Sequence, residues 1–274
     1  MEKSTESPLC EVNKLKAVIL CGGRGTRLQE ETEYRPKPLV KIGAMPILWH
    51  IMKTYSYYGV KDFILALGYK GEMIKEYFLN FEELSNNFTL NLRSRQDRVV
   101  HENGASLEDW KITFVDTGLE TQTGGRIARI REYVGDDKEF LLTYGDAVAD
   151  VNVGKLKQFH KAQGTVLTVT GINQTSPFGV IEVKHGRATG FKEKPKLDGL
   201  VSGGFFVCSH LLFDYLSADE GCVFEEEPMR RICEESQLAV YSHEGYWQCM
   251  DTYKQMLELN RAWAEGQAPW KIWE

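Results

Sequence analysis

The residue types best suited to chemistry are concentrated in residues 15–40, LKAVILCGGRGTRLQEETEYRPKPLV. Gly22-Gly23-Arg24-Gly25-Thr26-Arg27 sets three glycines in four positions, which leaves the backbone bare and lets its N–H groups approach a phosphate chain closely. Arg27 adds a planar guanidinium suited to bidentate contact with phosphate oxygens. Arg35-Pro36-Lys37-Pro38 supplies two further cations on a backbone that prolines stiffen and extend. These are the parts of a loop that wraps a polyphosphate and places cations along it. Two commoner phosphate loops do not fit. A Walker loop requires Gly-Lys-Ser/Thr where Arg27 stands, and a dinucleotide fingerprint requires its third glycine at Leu28. On glycines alone, a strand-to-helix turn with solvated charges remains an equal reading.

A polyphosphate needs a counter-cation. Residues 140–144, FLLTY, form an apolar run that ends at Gly145-Asp146, and ligands of open α/β sheets sit at the carboxyl ends of strands. A carboxylate facing phosphates is repelled unless a cation lies between them. Mg²⁺, which takes one or two carboxylates plus phosphate oxygens and water, is the natural ion. Asp146 is therefore a candidate metal ligand. Asp150 reads as a helix cap or a solvated residue.

Strand and helix patterns alternate around these residues, which predicts a parallel sheet covered by helices. Residues 17–20 form a short buried strand. Pro46 can occupy a first helical position ahead of the apolar face of Ile47, Leu48, Ile51, Met52 and Tyr55, which ends near Gly59. Residues 63–67 form the next strand, followed by a helix carrying Met73, Ile74, Tyr77 and Phe78. Residues 93–110 are charged and weakly patterned, and read as a surface excursion, with a lid or a subunit contact as the alternative. A strand over 112–115 precedes Thr123-Gly124-Gly125-Arg126, which opens a helix to about residue 133. Residues 165–170 form a β-branched strand. An antiparallel hairpin follows, over 179–183 and 188–191, turning at His185-Gly186, and then a Gly-containing strand over 201–207. Helices over 211–216, 228–235 and 253–263 and a strand over 238–241 complete the chain. The carboxyl-terminal tail carries Trp270 and Trp273, which need burial. Packing against a neighbouring subunit is one way to supply it.

The 274 residues are 42% hydrophobic and 26% charged, enough for one large α/β domain. A net charge of −6 argues against a broad nucleic-acid footprint. An acidic chain that binds anions must gather its cations locally, and Arg24, Arg27, Arg35, Lys37 and Lys41 do fall within eighteen residues. No apolar run approaches the roughly 20 residues of a membrane span. Residues 1–14 read as a loose polar tail ahead of a single domain over 15–274. The six cysteines contain no C-x-x-C pair and are expected to be reduced in a cytoplasmic protein, and the six scattered histidines give no zinc spacing.

CGGRGTRL followed by RPKPLV resembles the signature of the sugar-phosphate nucleotidyltransferases. PILWHIM at 46–52, GYKGEMIKEYF at 68–78, VDTG at 115–118, TGGR at 123–126, TYGDAVAD at 143–150, EKP at 193–195, GGFFV at 203–207, MDT at 250–252 and APWKIWE at 268–274 extend the likeness. They resemble the glucose-1-phosphate cytidylyltransferase branch, and the similarity covers nearly all of 15–274. The resemblance implies the nucleotide-diphospho-sugar transferase fold: a Rossmann-like, mixed, mostly parallel sheet flanked by helices. It also implies a small antiparallel sugar-binding part at about 171–207 and a helical tail at about 252–274. It implies CTP and glucose 1-phosphate as substrates, CDP-glucose and pyrophosphate as products, Mg²⁺ as cofactor, and a homo-oligomer, a hexamer in the branch. Service to surface-polysaccharide biosynthesis is implied as well.

Carried residue by residue, the resemblance makes Arg27 and Lys37 catalytic. It gives the nucleotide to Leu20, Gly22, Gly23, Gly25, Thr26, Arg27, Lys37, Thr123, Gly124, Gly125 and Arg126, with Arg126 placed to donate to the cytosine O2. It gives the sugar phosphate to Tyr144, Gly145, Gly179, Glu193, Lys194 and Gly203, and the metal to Asp146 and Asp251. By itself Asp251-Thr252 ahead of a helix reads as an N-cap. Ser202 stands where the branch has Asn, and Cys21 where Ala is usual, as a small buried residue rather than a catalytic thiol. UTP or dTTP in place of CTP, and a non-catalytic nucleotide-sugar-binding subunit, are the alternative readings.

Overall fold

The computed structural model describes residues 12–94, 97–101, 107–174, 179–193 and 199–273. Eight strands build the central sheet: β1 (Lys16–Cys21), β2 (Asp62–Leu67), β3 (Lys111–Asp116), β4 (Glu139–Tyr144), β5 (Leu167–Ile172), β6 (Val201–Ser202), β7 (Phe206–Ser209) and β8 (Leu238–His243). From one edge the order is β3-β2-β1-β4-β7-β5, with β6 and β8 both paired to β5. The β3-β2-β1-β4 half is parallel throughout. β7 runs antiparallel to both β4 and β5. The expected mixed, mostly parallel sheet is therefore present, with the antiparallel β7 in its middle and the short β6 antiparallel to β5 at one end.

Side-chain alternation explains why these apolar runs become strands covered on both faces. Ala17, Ile19 and Cys21 of β1 enter one core cluster together with Phe63, Leu65 and Leu67 of β2. Val18, Leu20, Ile64 and Ala66 enter the other. The first cluster is closed by helix α1 (Ile47–Tyr57) and by residues Met256 and Leu259 of the helix Tyr253–Ala264. The second is closed by the helix Thr123–Arg129 and by Ile232 of the helix Glu227–Glu234. Each α-helical expectation falls within a residue or two of an observed element, except that 211–216 is a 3-10 helix, His210–Tyr215. Residues 93–110 also differ from the expectation in part. Arg98–His101 pairs antiparallel with Asn87–Leu90 as a separate hairpin, and the absence of clear alternation in that sequence hid it.

Two expectations about the chain ends are corrected. Val12 is fully buried in the core, so packed chain begins before residue 15, and residues 1–11 lie outside the described part. The tail tryptophans need no neighbouring subunit. Trp270 is fully buried and Trp273 is 9% exposed. Trp270 stacks on Tyr246 at 5.6 Å, and Trp273 meets Trp49 edge-on at 5.9 Å. Together with Trp263 they surround His50. Its Nε2 lies 3.0 Å from the Ile42 carbonyl, and its Nδ1 is 3.4 Å from the Trp270 indole N–H. One ring nitrogen donates and the other accepts, which is the neutral tautomer. Burial correspondingly pushes the His50 pKa down to about 4.

Candidate active site

The site is assembled at the carboxyl ends of β1 and β4. A cavity of about 280 Å³ opens there, walled by the glycine loop, Lys37, Pro38, residues 121–123, Arg126, residues 144–146 and Asp251. The loop glycines have separate jobs. Gly25 adopts φ 63°, a left-handed turn that a side chain would strain, and a Cβ there would fall 2.8 Å from the Thr32 methyl. A Cβ on Gly22 would meet the Arg126 guanidinium. Gly23 has nothing within 4 Å of its Cβ position, so its bare backbone faces open space, as approach by a phosphate chain requires.

Lys37 is held in the 3-10 turn Lys37–Leu39, fixed by Pro36 before it and Pro38 within it. It is 7% exposed. Its ammonium donates to Asp146 Oδ2 at 2.8 Å and also to Asp251 Oδ1. Burial lowers its pKa, but the charges and hydrogen bonds of Asp146 and Asp251 outweigh burial and leave it above the ordinary lysine value. Arg27 pairs with the other side of Asp251 at 3.0 Å.

Asp146 and Asp251 are far apart in sequence, and a two-stranded ribbon joins them. Ala147–Ala149 pairs antiparallel with Trp247–Cys249, with Cys249 opposite Ala147. The Met250 N–H donates to the Asp146 carbonyl at 2.8 Å. Strand register thereby delivers both carboxylates to one cation. Asp251 lies just before the Thr252/Gln255 capping box of the helix Tyr253–Ala264, so the cap belongs to Thr252. Asp150 is not a helix cap either. Asn152 caps the next helix, while Asp150 accepts from the Tyr246 N–H at 2.7 Å and lies 3.0 Å from His243 Nε2.

Of the expected nucleotide residues, the cavity gathers Leu20, Gly22, Gly23, Gly25, Thr26, Arg27, Lys37, Thr123 and Arg126, and with them Tyr144, Gly145, Asp146 and Asp251. Arg126 is placed differently from the expectation. It is 4% exposed, and its terminal nitrogens donate to the carbonyls of Gly22, Leu67, Gly118 and Leu119 and to Thr117 Oγ1 at 2.7–3.2 Å. It ties the ends of β1, β2 and β3 together, with its terminal N–H groups already used. Gly124 and Gly125 do not line the cavity. Cβ atoms there would strike Cys222 and Asp219, so these glycines let the helix Thr123–Arg129 pack against 219–224.

Nor does the cavity include the rest of the expected sugar residues. A Cβ on Gly179 would meet the Phe191 ring, with Glu193 beside it, and Gly203 is packed under Ile172 and Trp247. Lys194 lies outside the described residues. Arg24 pairs with Glu120, and Arg35 and Lys41 do not border this cavity. Cys21, Pro38, Thr121 and Gln122 do line it, although none was singled out as a ligand contact. Cys21 and Pro38 adjoin expected residues, but Thr121 and Gln122 carried no motif. The Cys21 thiol is fully buried, and burial drives its pKa up strongly, so it is no thiolate nucleophile. Glu225 was also not foreseen. Its carboxylate accepts from the hydroxyls of Thr123 and Tyr144, each at 2.5 Å, across one wall.

Residues 16–266 match the Nucleotidyl transferase family model. The chain belongs to the nucleotidyl transferase family. A Bacillus subtilis member described as a glucose-1-phosphate cytidylyltransferase is 50% identical over 94% of this chain and 100% of its own length. The Salmonella typhimurium glucose-1-phosphate cytidylyltransferase is 45% identical over 95% of this chain and all of its own. Among solved structures, a Bacillus anthracis protein described as a glucose-1-phosphate thymidylyltransferase superposes with a TM-score of 0.66 at 17% identity, covering 92% of this chain and 95% of its own. That match supports the fold alone. Within the family frame, the glycine loop, the buried lysine and the paired carboxylates occupy one cavity and share one network of hydrogen bonds and ion pairs.

Proposed function

We propose that this chain is a glucose-1-phosphate cytidylyltransferase: CTP + α-D-glucose 1-phosphate → CDP-glucose + pyrophosphate. The observation that carries this reading is the 45–50% identity to such enzymes across almost the whole chain, joined to a cavity that retains Arg27, Lys37, Asp146 and Asp251 together. A binding module would not need both cations and both carboxylates. No metal is invoked to explain the fold, yet the donors fit one. Asp146 and Asp251 bracket a single ammonium and supply hard oxygen ligands. Mg²⁺ takes one or two carboxylates beside phosphate oxygens and water, and these two would supply them. When bound, Mg²⁺ offsets charge on the triphosphate.

The chain's own groups do the rest. A sugar phosphate oxygen attacks the α-phosphorus in line and pyrophosphate leaves, chemistry that needs positioning and charge neutralisation more than an enzyme nucleophile. The Gly22–Gly25 backbone lies along the triphosphate. Arg27, exposed at the rim, neutralises the departing pyrophosphate, and Lys37 neutralises the α-phosphate while orienting the attacking oxygen. Arg126 acts in base selection by holding three strand ends in place, a role its buried hydrogen bonds support. Thr123 belongs with the nucleotide, and Tyr144 and Gly145 with the sugar, with Glu193 and Lys194 as sugar phosphate contacts.

A homo-oligomer belongs to the same reading, supported by exposed apolar side chains on the hairpin of Asn87–Leu90 and Arg98–His101, among them Phe88 and Val99. Sedimentation at micromolar concentration tests it. Pyrophosphate release with Mg²⁺ and glucose 1-phosphate, compared across CTP, UTP, dTTP, ATP and GTP, tests the reaction. Preference for CTP is expected. Another preferred nucleotide would keep the mechanism and replace the base assignment, and no release from a folded chain that binds nucleotide would overturn the enzyme reading.

A further inference from the structure

Glu225 stands beside the catalytic cavity and takes no part in the reaction as assigned above. It lies on the segment 219–226. Hydrogen bonds from the Gln122 N–H to the Glu220 carbonyl at 2.8 Å, and from the Gly125 N–H to the Cys222 carbonyl at 3.0 Å, tie that segment to the helix Thr123–Arg129. Among the described residues its side chain meets two hydroxyls and no cation. Tyr144 donates to one carboxylate oxygen and Thr123 to the other, each at 2.5 Å. A carboxylate accepts and has no proton to give, so both hydroxyl protons point at Glu225 and both hydroxyls turn only lone pairs elsewhere. Tyr144 and Thr123 both line the cavity. A negative charge without a cation repels phosphate oxygens. Phosphates are left to Arg27 and Lys37, and this wall to an uncharged part of a substrate that can donate hydrogen bonds.

The two hydroxyls do not depend on Glu225 equally. Thr123 Oγ1 also accepts from the Phe224 N–H at 3.0 Å, so it is held from a second side. The Tyr144 hydroxyl has Glu225 as its one hydrogen-bond partner among the described residues. Its ring is fixed by packing: Phe206 meets it edge-on at 5.8 Å, and a Cβ on Gly204 would lie 3.1 Å from it. What remains adjustable is the direction of the O–H proton, and Glu225 decides it. Burial first, and then the charge and hydrogen bond of Glu225, push the Tyr144 pKa up, so the hydroxyl keeps its proton. We infer that Glu225 is a positioning residue for the sugar. By taking the Tyr144 proton it makes the Tyr144 oxygen a fixed acceptor, which selects a hydroxyl of the sugar ring over a phosphate oxygen. The sugar phosphate is thereby turned ring toward Tyr144 and phosphate toward Lys37. The inference rests on the transfer reading for the placing of the sugar beside Tyr144.

Titration calorimetry with CDP-glucose and with CDP tests the role on the full chain. Glu225→Ala is expected to weaken CDP-glucose by about tenfold, the worth of one hydrogen bond, and CDP by less than about threefold. Retained CDP affinity also shows that the variant is folded. Equal weakening of both ligands, or of neither, overturns the proposal. Tyr144→Phe should match Glu225→Ala, and the double variant should be no weaker than either single within about twofold, because both remove one contact. Additive losses would separate Glu225 from Tyr144 and overturn it as well. A kinetic arm reads the hydrogen-bond polarity, with glucose 1-phosphates that each carry fluorine in place of one ring hydroxyl, since fluorine cannot donate. At one ring position the native protein should lose about tenfold in kcat/KM, and Glu225→Ala should lose less than about threefold there. The same sensitivity in both proteins would overturn the acceptor role. The calorimetry needs no turnover, and a chain that prefers UTP is titrated with UDP-glucose and UDP instead. A wrong base assignment and a wrong role for Glu225 therefore give different results.

Discussion

Lys37 and Phe191 stand for two differently built regions of one molecule. Lys37 is 7% exposed, held by two carboxylates above a core that includes fully buried β1 and β2 residues. Phe191 is 64% exposed on the hairpin formed by Val180–Lys184 and Arg187–Lys192, whose first strand is exposed along its whole length. The hairpin turns at His185 and Gly186, both with positive φ, and is held by its own ladder rather than by a core. The cavity around Lys37 is therefore set by packing, whereas the hairpin on the expected sugar side has little beneath it. Burial in the first region couples catalytic groups to stability, and exposure in the second uncouples them.

The largest expected effect lies at the base of the packed region. Trp270→Ala should lower stability by about 3–5 kcal/mol, the usual cost of emptying a large core site. Urea denaturation measures it, and a loss under about 1 kcal/mol would return the tail to the role of a surface contact. His50 comes next. Its folded pKa of about 4 lies below the ordinary 6.5, so the neutral ring is favoured in the fold. This stability is fully present above pH 6.5 and is lost as pH falls toward 4, by about 3 kcal/mol. Unfolding curves between pH 7 and 4 should show that slope, and His50→Gln should flatten it by one proton.

Lys37→Ala should lower kcat by more than about tenfold while the far-ultraviolet circular dichroism is kept, and near-normal turnover would remove Lys37 from the mechanism. The smallest effect belongs to the exposed hairpin. Phe191→Ser should change stability by less than about 0.5 kcal/mol. A larger loss, or one that depends on protein concentration, would show that this face is covered in solution and would erase the contrast between the two regions.

Much of the packed region was legible. The run at 17–20, the two glycines after it and the Pro-Lys-Pro turn each carry a local cause, and each lies where that cause puts it. The hairpin at His185-Gly186 was legible for the same reason. Arg126 reads from sequence as a base contact, and its hydrogen bonds to the carbonyls of Gly22 and Leu67 were not legible, because those carbonyls come from other strands. Gly124 and Gly125 look like glycines for a ligand and are glycines for the 219–224 segment. The tryptophans of the tail announced that they needed burial but not against what.

The sequence by itself determined the strand-loop chemistry, because bare backbone, proline stiffness and apolar alternation act within a few residues. Only the tertiary structure decided which charges meet. The pairing of Ala147–Ala149 with Trp247–Cys249 brings Asp251 to Asp146 and puts Lys37 between them, and strand register is a property of two distant segments at once. The same folding divided one run of cations, sending Lys37 into the catalytic cavity and leaving Arg35 and Lys41 outside it.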